Sequence, residues 1–162
     1  MRSLATIAAA TLVAFAVAGS AAYAGNSMSS GAMMSGGAKP VIFTPATIKW
    51  MPGTGDFKGL TVATLSGDPA KAGPWTVRLK IPAGTKFPVH YHNDTEVVTV
   101  ISGTFEAAIG DKFDASKLTA LPAGSFASIP AGVRHYAMVK TDTVIQLSGS
   151  EPFAMIMDKG SM

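Results

Sequence analysis

From Lys39 onward the chain reads as short apolar runs broken by glycine and proline. The clearest run is Trp75–Ile81, where Trp75, Val77, Leu79 and Ile81 alternate with Thr76, Arg78 and Lys80. A period of two sends one set of side chains to a buried sheet face and the other to solvent. Residues 41–43, 48–50, 60–65, 104–109, 143–147 and 153–157 also have strand composition, being rich in β-branched and aromatic residues. Residues 110–119 are polar and irregular, which predicts a loop free to overhang the mouth of a barrel. Three turns share one pattern, Ile81-Pro82-Ala83-Gly84, Leu121-Pro122-Ala123-Gly124 and Ile129-Pro130-Ala131-Gly132. Proline second and glycine fourth suit a type I turn. No window beyond the first 24 residues sustains a helical period. Many short strands with closely spaced turns predict an all-β sandwich or barrel.

Two stretches carry the candidate chemistry. In residues 84–103, His90 and His92 lie two apart in an extended run, so a strand presents both on one face. Asn93-Asp94 is a turn signal, and a hairpin folded there returns Glu96 beside the two imidazoles. Beyond Glu96, alternation points Val98 and Val100 inward. The second stretch, residues 124–135, ends on His135, with Ala137 and Val139 inward beyond it and Phe126 and Ser128 assigned to a facing strand that lines the site. A lone histidine in an apolar strand is ordinarily a hydrogen-bonded core residue. This chain has three histidines, and all fall in these two stretches.

The spacing resembles the cupin superfamily. Gly84, His90, His92, Glu96 and Gly103 match its first motif, and Gly124, Pro130, Gly132 and His135 match its second. The resemblance covers roughly residues 75–150 and implies a single cupin domain, a double-stranded β-helix or jelly-roll barrel. It also implies a metal set of His90, His92, Glu96 and His135. The family usually places an asparagine four residues after the last histidine, where this chain has Val139. A homodimer formed through sheet edges is a further expectation from the resemblance.

Composition changes the picture at the N-terminus. Arg2, the apolar run Leu4 to Gly19 and the small-x-small site Ala22-Tyr23-Ala24 form a secretory signal over residues 1–24. The run is short for a bilayer span of about 20 residues, so an uncleaved anchor is the weaker reading. A cleaved signal predicts a periplasmic or secreted protein with no remaining membrane attachment. Residues 25–38, rich in glycine, serine and methionine, read as a flexible leader, and the cupin domain as residues 39–158. The methionines of the leader, Met28, Met33 and Met34, with Met155, Met157 and Met162 at the other end, suggest copper(I), which thioethers favour; methionine is common throughout this chain, and three in a flexible leader do not make a site. Without Arg2, 12 Lys and Arg face 10 Asp and Glu, a formal charge of +2. The lysines are scattered and form no basic stripe, which argues against a nucleic-acid partner. There is no cysteine, so neither disulfides nor thiolate ligands enter the account.

Three neutral imidazoles and one carboxylate suit a divalent transition metal: iron, manganese, nickel, zinc or copper. Open positions on such an ion allow Lewis-acid work or oxygen activation on a small-molecule ligand. No second acid or nucleophile accompanies the set, leaving Glu96 as the candidate base. Two functions follow. One is an exported metal-dependent enzyme, dioxygenase-like or isomerase-like, on a small organic substrate. The other is a non-catalytic periplasmic module that binds a metal or small ligand.

Overall fold

The computed structural model describes residues 39–157. The signal read at 1–24, the leader at 25–38 and the last residues after 157 lie outside the described residues. Eleven strands are present among those described: β1 (Met51–Pro52), β2 (Thr61–Ser66), β3 (Trp75–Ile81), β4 (Lys86–Tyr91), β5 (Glu96–Ser102), β6 (Thr104–Ile109), β7 (Thr119–Pro122), β8 (Phe126–Ile129), β9 (His135–Met138), β10 (Thr143–Gly149) and β11 (Ile156–Met157). Two single-turn 3₁₀ segments, Gly55–Phe57 and Ala115–Lys117, are the only helical pieces among the described residues. One sheet has the order β1-β2-β3-β10-β5-β8 and the other β11-β4-β9-β6-β7. All pairings are antiparallel. The all-β double-stranded β-helix expected from the sequence is the fold.

The alternation of β3 carries through to the core. Trp75, Val77, Leu79 and Ile81 are buried, and β10 sets Leu147 opposite Val77 and Ile145 opposite Leu79. On its other side β10 pairs Leu147 with Val98 and Ile145 with Val100. One apolar layer thus runs across three strands and meets Phe105, Ala137 and Val139. Truncating one of these aliphatic side chains to alanine costs on the order of 2–5 kcal/mol, because the close-packed layer relaxes only partly around the cavity.

Four sequence expectations are corrected. First, residues 41–43 and 48–50 are not strands. Val41 and Ile42 are largely exposed, and without a partner strand among the described residues a run of strand-forming residues has no ladder to join. Pairing begins only at Met51, against Val62. Residues 153–157 likewise pair only at Ile156 and Met157.

Second, β4 and β5 do not form a hairpin. β4 belongs to the five-stranded sheet and β5 to the six-stranded one, so residues 92–95 cross between layers. Asp94 pins that crossing. Its Oδ2 accepts from the backbone N–H groups of Ser150 (2.6 Å) and Glu151 (3.0 Å) and from Ser150 Oγ (3.2 Å), while Oδ1 accepts from Thr95 N–H (2.7 Å). The residue that looked like a hairpin turn is a tie to the far end of β10.

Third, β8 faces the other way. Ile129 is buried and Ala127 packs on the core, while Phe126 and Ser128 point to solvent. A one-residue change of register exchanges the two faces of a strand, and the pairing of Val98 with Ala127 sets it.

Fourth, the three Pro-Ala-Gly turns close one residue later than a type I reading places them. Thr85, Ser125 and Val133 donate N–H to the oxygens of Pro82, Pro122 and Pro130 (3.0–3.2 Å). Proline is therefore first and glycine third. Gly84, Gly124 and Gly132 have φ of 82°, 88° and 77°, the requirement of a type II turn. These turns also hold the site: Gly132 N–H donates to His92 O (2.9 Å), and Gly124 N–H to Val100 O (2.8 Å).

The polar stretch 110–119 covers the outer face of the five-stranded sheet. Tyr136 lies on β9 between inward-facing His135 and Ala137, is fully buried, packs against Phe113 (ring centroids 4.9 Å) and donates its hydroxyl to Asp114 O (3.1 Å). Strand alternation puts Tyr136 on the face opposite the histidine, so this loop is a cover for the back of the sheet.

Candidate metal centre

His90, His92 and His135 converge between the two sheets, all buried, with ligand atoms within 4.8 Å of one another. Ring centroids lie 5.0 Å apart for His90 and His92, 4.2 Å for His90 and His135, and 5.2 Å for His92 and His135. Opposed positions in the β4–β9 pairing bring His90 and His135 together. The pairing carries a one-residue irregularity between Phe87 and His90, centred on Pro88, which has no N–H to give to a ladder. Simple alternation puts Phe87 and His90 on opposite faces; the bulge turns both toward the interior. His92 lies just past β4, at the start of the crossing. Glu96 arrives from the opposite sheet, with Oε1 3.6 Å from His92 Nε2 and Oε2 3.3 Å from His135 Nε2.

Each ring is oriented by its other nitrogen. Nδ1 faces a backbone carbonyl in all three: Pro88 O for His90 (2.6 Å), Ala154 O for His92 (2.8 Å) and Val133 O for His135 (2.9 Å). A carbonyl only accepts, so each Nδ1 carries the hydrogen and each Nε2 of a neutral ring offers a lone pair. Histidine ligands of metals are held by this arrangement. The Nε2 atoms of His92 and His135 are buried without a hydrogen-bond partner. Glu96 Oε2 lies close by, 3.3 Å from His135 Nε2, without completing a hydrogen bond to that nitrogen. Lone pairs and a carboxylate crowded together repel one another unless positive charge lies among them. The donor set therefore fits a divalent transition ion, with nitrogen and oxygen ligands of intermediate softness.

Burial and neighbouring charge act differently on His90, His135 and Glu96. Burial is the main cause that pushes His90 down to about 4, with the His135 and His92 rings adding to it. His135 is shifted upward: burial opposes its charge, but Glu96 and the Val133 carbonyl outweigh that. Burial also works against an ionised Glu96, yet His135, His92 and His90 together hold its carboxyl below the usual range. Glu96 is thus an anion at neutral pH.

Above the cluster lies a cavity of about 30 Å³. Its apolar wall includes Phe57, Leu60, Phe87, Phe105 and Phe153, and Asp56 and Met155 sit at its edge. Ala137 lines it as the sequence suggests, whereas Val98, Val100 and Val139 belong to the core beneath. Asp56, Phe57 and Phe153 were not legible as site residues: they come from the two ends of the domain, and no local pattern marks them. Met155 was marked only as one of the methionines of the copper(I) pattern, and it does reach the cavity.

Two facing antiparallel sheets with a histidine cluster held between them define a cupin. The chain belongs to the ChrR cupin-like domain family, whose model matches residues 38–154. Among solved structures it is similar to an acetylacetone dioxygenase from Acinetobacter johnsonii (19% identity, TM-score 0.57, covering 77% of this chain and 82% of that one). It is also similar to a protein of Methylibium petroleiphilum PM1 whose name proposes acetylacetone dioxygenase activity (20%, 0.61, 80% and 89%). An RmlC-like cupin from Shewanella frigidimarina NCIMB 400 shares the fold too (21%, 0.54, 71% and 92%). At these identities the likeness is one of fold. No curated protein matches the chain.

Proposed function

We propose that the protein is an exported metal-dependent cupin in which His90, His92, Glu96 and His135 hold one divalent transition ion. The reading that fits best is a dioxygenase-like or isomerase-like enzyme acting on a small, mostly apolar molecule with chelating oxygens. The observation that carries it is the convergence of buried, unpartnered Nε2 atoms and a carboxylate on the floor of an apolar cavity. A divalent ion held there supplies Lewis acidity and, if redox-active, the activation of oxygen. The chain's own part is to orient the three imidazoles through backbone carbonyls, to keep bulk water out with phenylalanine side chains, and to offer Glu96 as a base. The A. johnsonii relative, an acetylacetone dioxygenase by name, makes β-diketones a reasonable first substrate class to assay.

The test begins with metal analysis of protein purified from its own compartment, followed by oxygen uptake with β-diketones, keto acids and phenolics for each metal loaded in turn. Consumption of one class, abolished in His135→Ala, supports the enzyme. Binding of the whole panel without consumption supports the second reading, a non-catalytic binding module. The small cavity and the absence of a free acid beside the cluster favour that alternative, since Asp56 is engaged by Met155 N–H at 2.8 Å. Export is tested by intact mass: mature protein beginning at Gly25 agrees with it, and a chain retaining Met1–Ala24 does not.

A further inference from the structure

The cavity over the histidine cluster is bordered and narrowed by two segments from opposite ends of the domain. Phe57, on the 3₁₀ turn, stacks on Phe153 with ring centroids 4.6 Å apart and an interplanar angle of 22°. Phe153 in turn lies 5.0 Å from the His92 ring and edge-on to Trp75 at 5.9 Å. Met155 N–H donates to Asp56 Oδ2 (2.8 Å), which latches the two segments together. The same C-terminal segment accepts His92 Nδ1–H at Ala154 O (2.8 Å). Both phenylalanines are only partly buried, so the constriction is a single layer of side chains with solvent beyond.

The narrowness of that space decides what fits. A water molecule needs at least about 10–15 Å³ of such volume, and the cavity has about 30 Å³. It holds about two water-sized groups. A pocket that accommodates a drug-sized molecule spans about 300–1,000 Å³. We propose that the stacked pair Phe57–Phe153 is a size gate: while it is shut, the metal position is open only to slender ligands of two or three atoms. A larger chelating molecule reaches the ion only after the pair parts. This rests on the metal reading above and deepens it by naming Phe57 as the residue that sets ligand size.

Cobalt(II)-loaded protein tests the gate without any turnover. Cobalt stoichiometry is measured first, and failure to bind cobalt at all overturns the metal reading itself. With cobalt bound, stopped-flow absorbance follows two probes, azide as the slender ligand and 4-nitrocatechol as the bulky chelator. In the unmodified protein, the azide rate should rise linearly with concentration, while the 4-nitrocatechol rate levels off at the rate of gate opening. Phe57→Ala should speed 4-nitrocatechol at least tenfold and leave azide within about twofold. Asp56→Ala, which removes the latch but keeps both rings, should speed 4-nitrocatechol in the same direction and serves if Phe57→Ala misfolds. Linear, equally fast 4-nitrocatechol binding in all three proteins overturns the gate. So does an equal acceleration of both probes, which marks general loosening of the domain.

Discussion

Replacing Asp94 with alanine tests whether the crossing between β4 and β5 is held as described. The carboxylate accepts three backbone N–H groups and one hydroxyl at 2.6–3.2 Å. A hydrogen bond to a charged group contributes about 1.5–3 kcal/mol where water is excluded. Asp94 is half-exposed, so water replaces much of what alanine removes, and a net loss of about 2 kcal/mol is expected. That is a sizeable share of the roughly 5–15 kcal/mol that holds a domain folded. At roughly 4 °C per kcal/mol for a domain of this size, Tm should fall by about 8 °C. The pH dependence separates this cause from ordinary damage. The N–H groups of Ser150 and Glu151, with Thr95 N–H and Ser150 Oγ, hold the Asp94 pKa below its ordinary value. A depressed carboxyl stabilises fully above its unfolded pKa of about 3.9 and loses that contribution as pH falls through the folded value. Urea midpoints of the two proteins should therefore differ by a constant amount from pH 7 to 5 and draw together below about pH 4. Asp94→Asn, which keeps a neutral acceptor, should lie between them. No difference at pH 7, or one that persists undiminished below about pH 3, would refute the argument.

Other outcomes follow from the same geometry. His90→Ala, His92→Ala and His135→Ala should each lower metal occupancy sharply by elemental analysis while far-UV circular dichroism stays β-rich, because the apolar layer around Val77, Leu79 and Leu147 does not depend on the ion. Metal affinity should weaken as pH falls, since protons compete for the same lone pairs. Competition should start at His135, whose pKa is raised, and reach His90 only near about 4; isothermal titration at several pH values checks this, and a flat profile contradicts it. Gly103→Ala should destabilise the fold by 2 kcal/mol or more, roughly the cost of strain and overpacking combined. Gly103 has a φ of +76°, and an added Cβ comes within 2.6 Å of both Asp142 O and Thr143 Oγ1; an unchanged denaturation midpoint would count against the packing described there.

What could be read without a structure was whatever the chain encodes locally. The two-residue period of β3 names its buried face, because neighbouring side chains on a strand leave opposite sides whatever the partner. The motif offsets brought out His90, His92, Glu96 and His135, and the structure does gather them. Each Pro-Ala-Gly turn was visible too, although its closing bond falls one residue later than proline's position suggests. Where the answer depends on a partner distant in sequence, the local pattern is silent. Residues 41–43 look like a strand and have no neighbour to pair with among the described residues. Phe126 and Ser128 face outward because Ala127 pairs with Val98, a match set across the sheet. Asn93-Asp94 turns the chain as its composition suggests, but whether the next strand pairs or crosses to the other sheet depends on Asp94 meeting Ser150 and Glu151. The bulge at Pro88 that turns His90 inward becomes visible only against β9. The size of the cavity follows from Phe57 meeting Phe153, nearly a hundred residues along the chain. Side-chain periodicity is a property of one strand, whereas pairing, crossing and enclosure are properties of two or more, and only the folded domain brings those together.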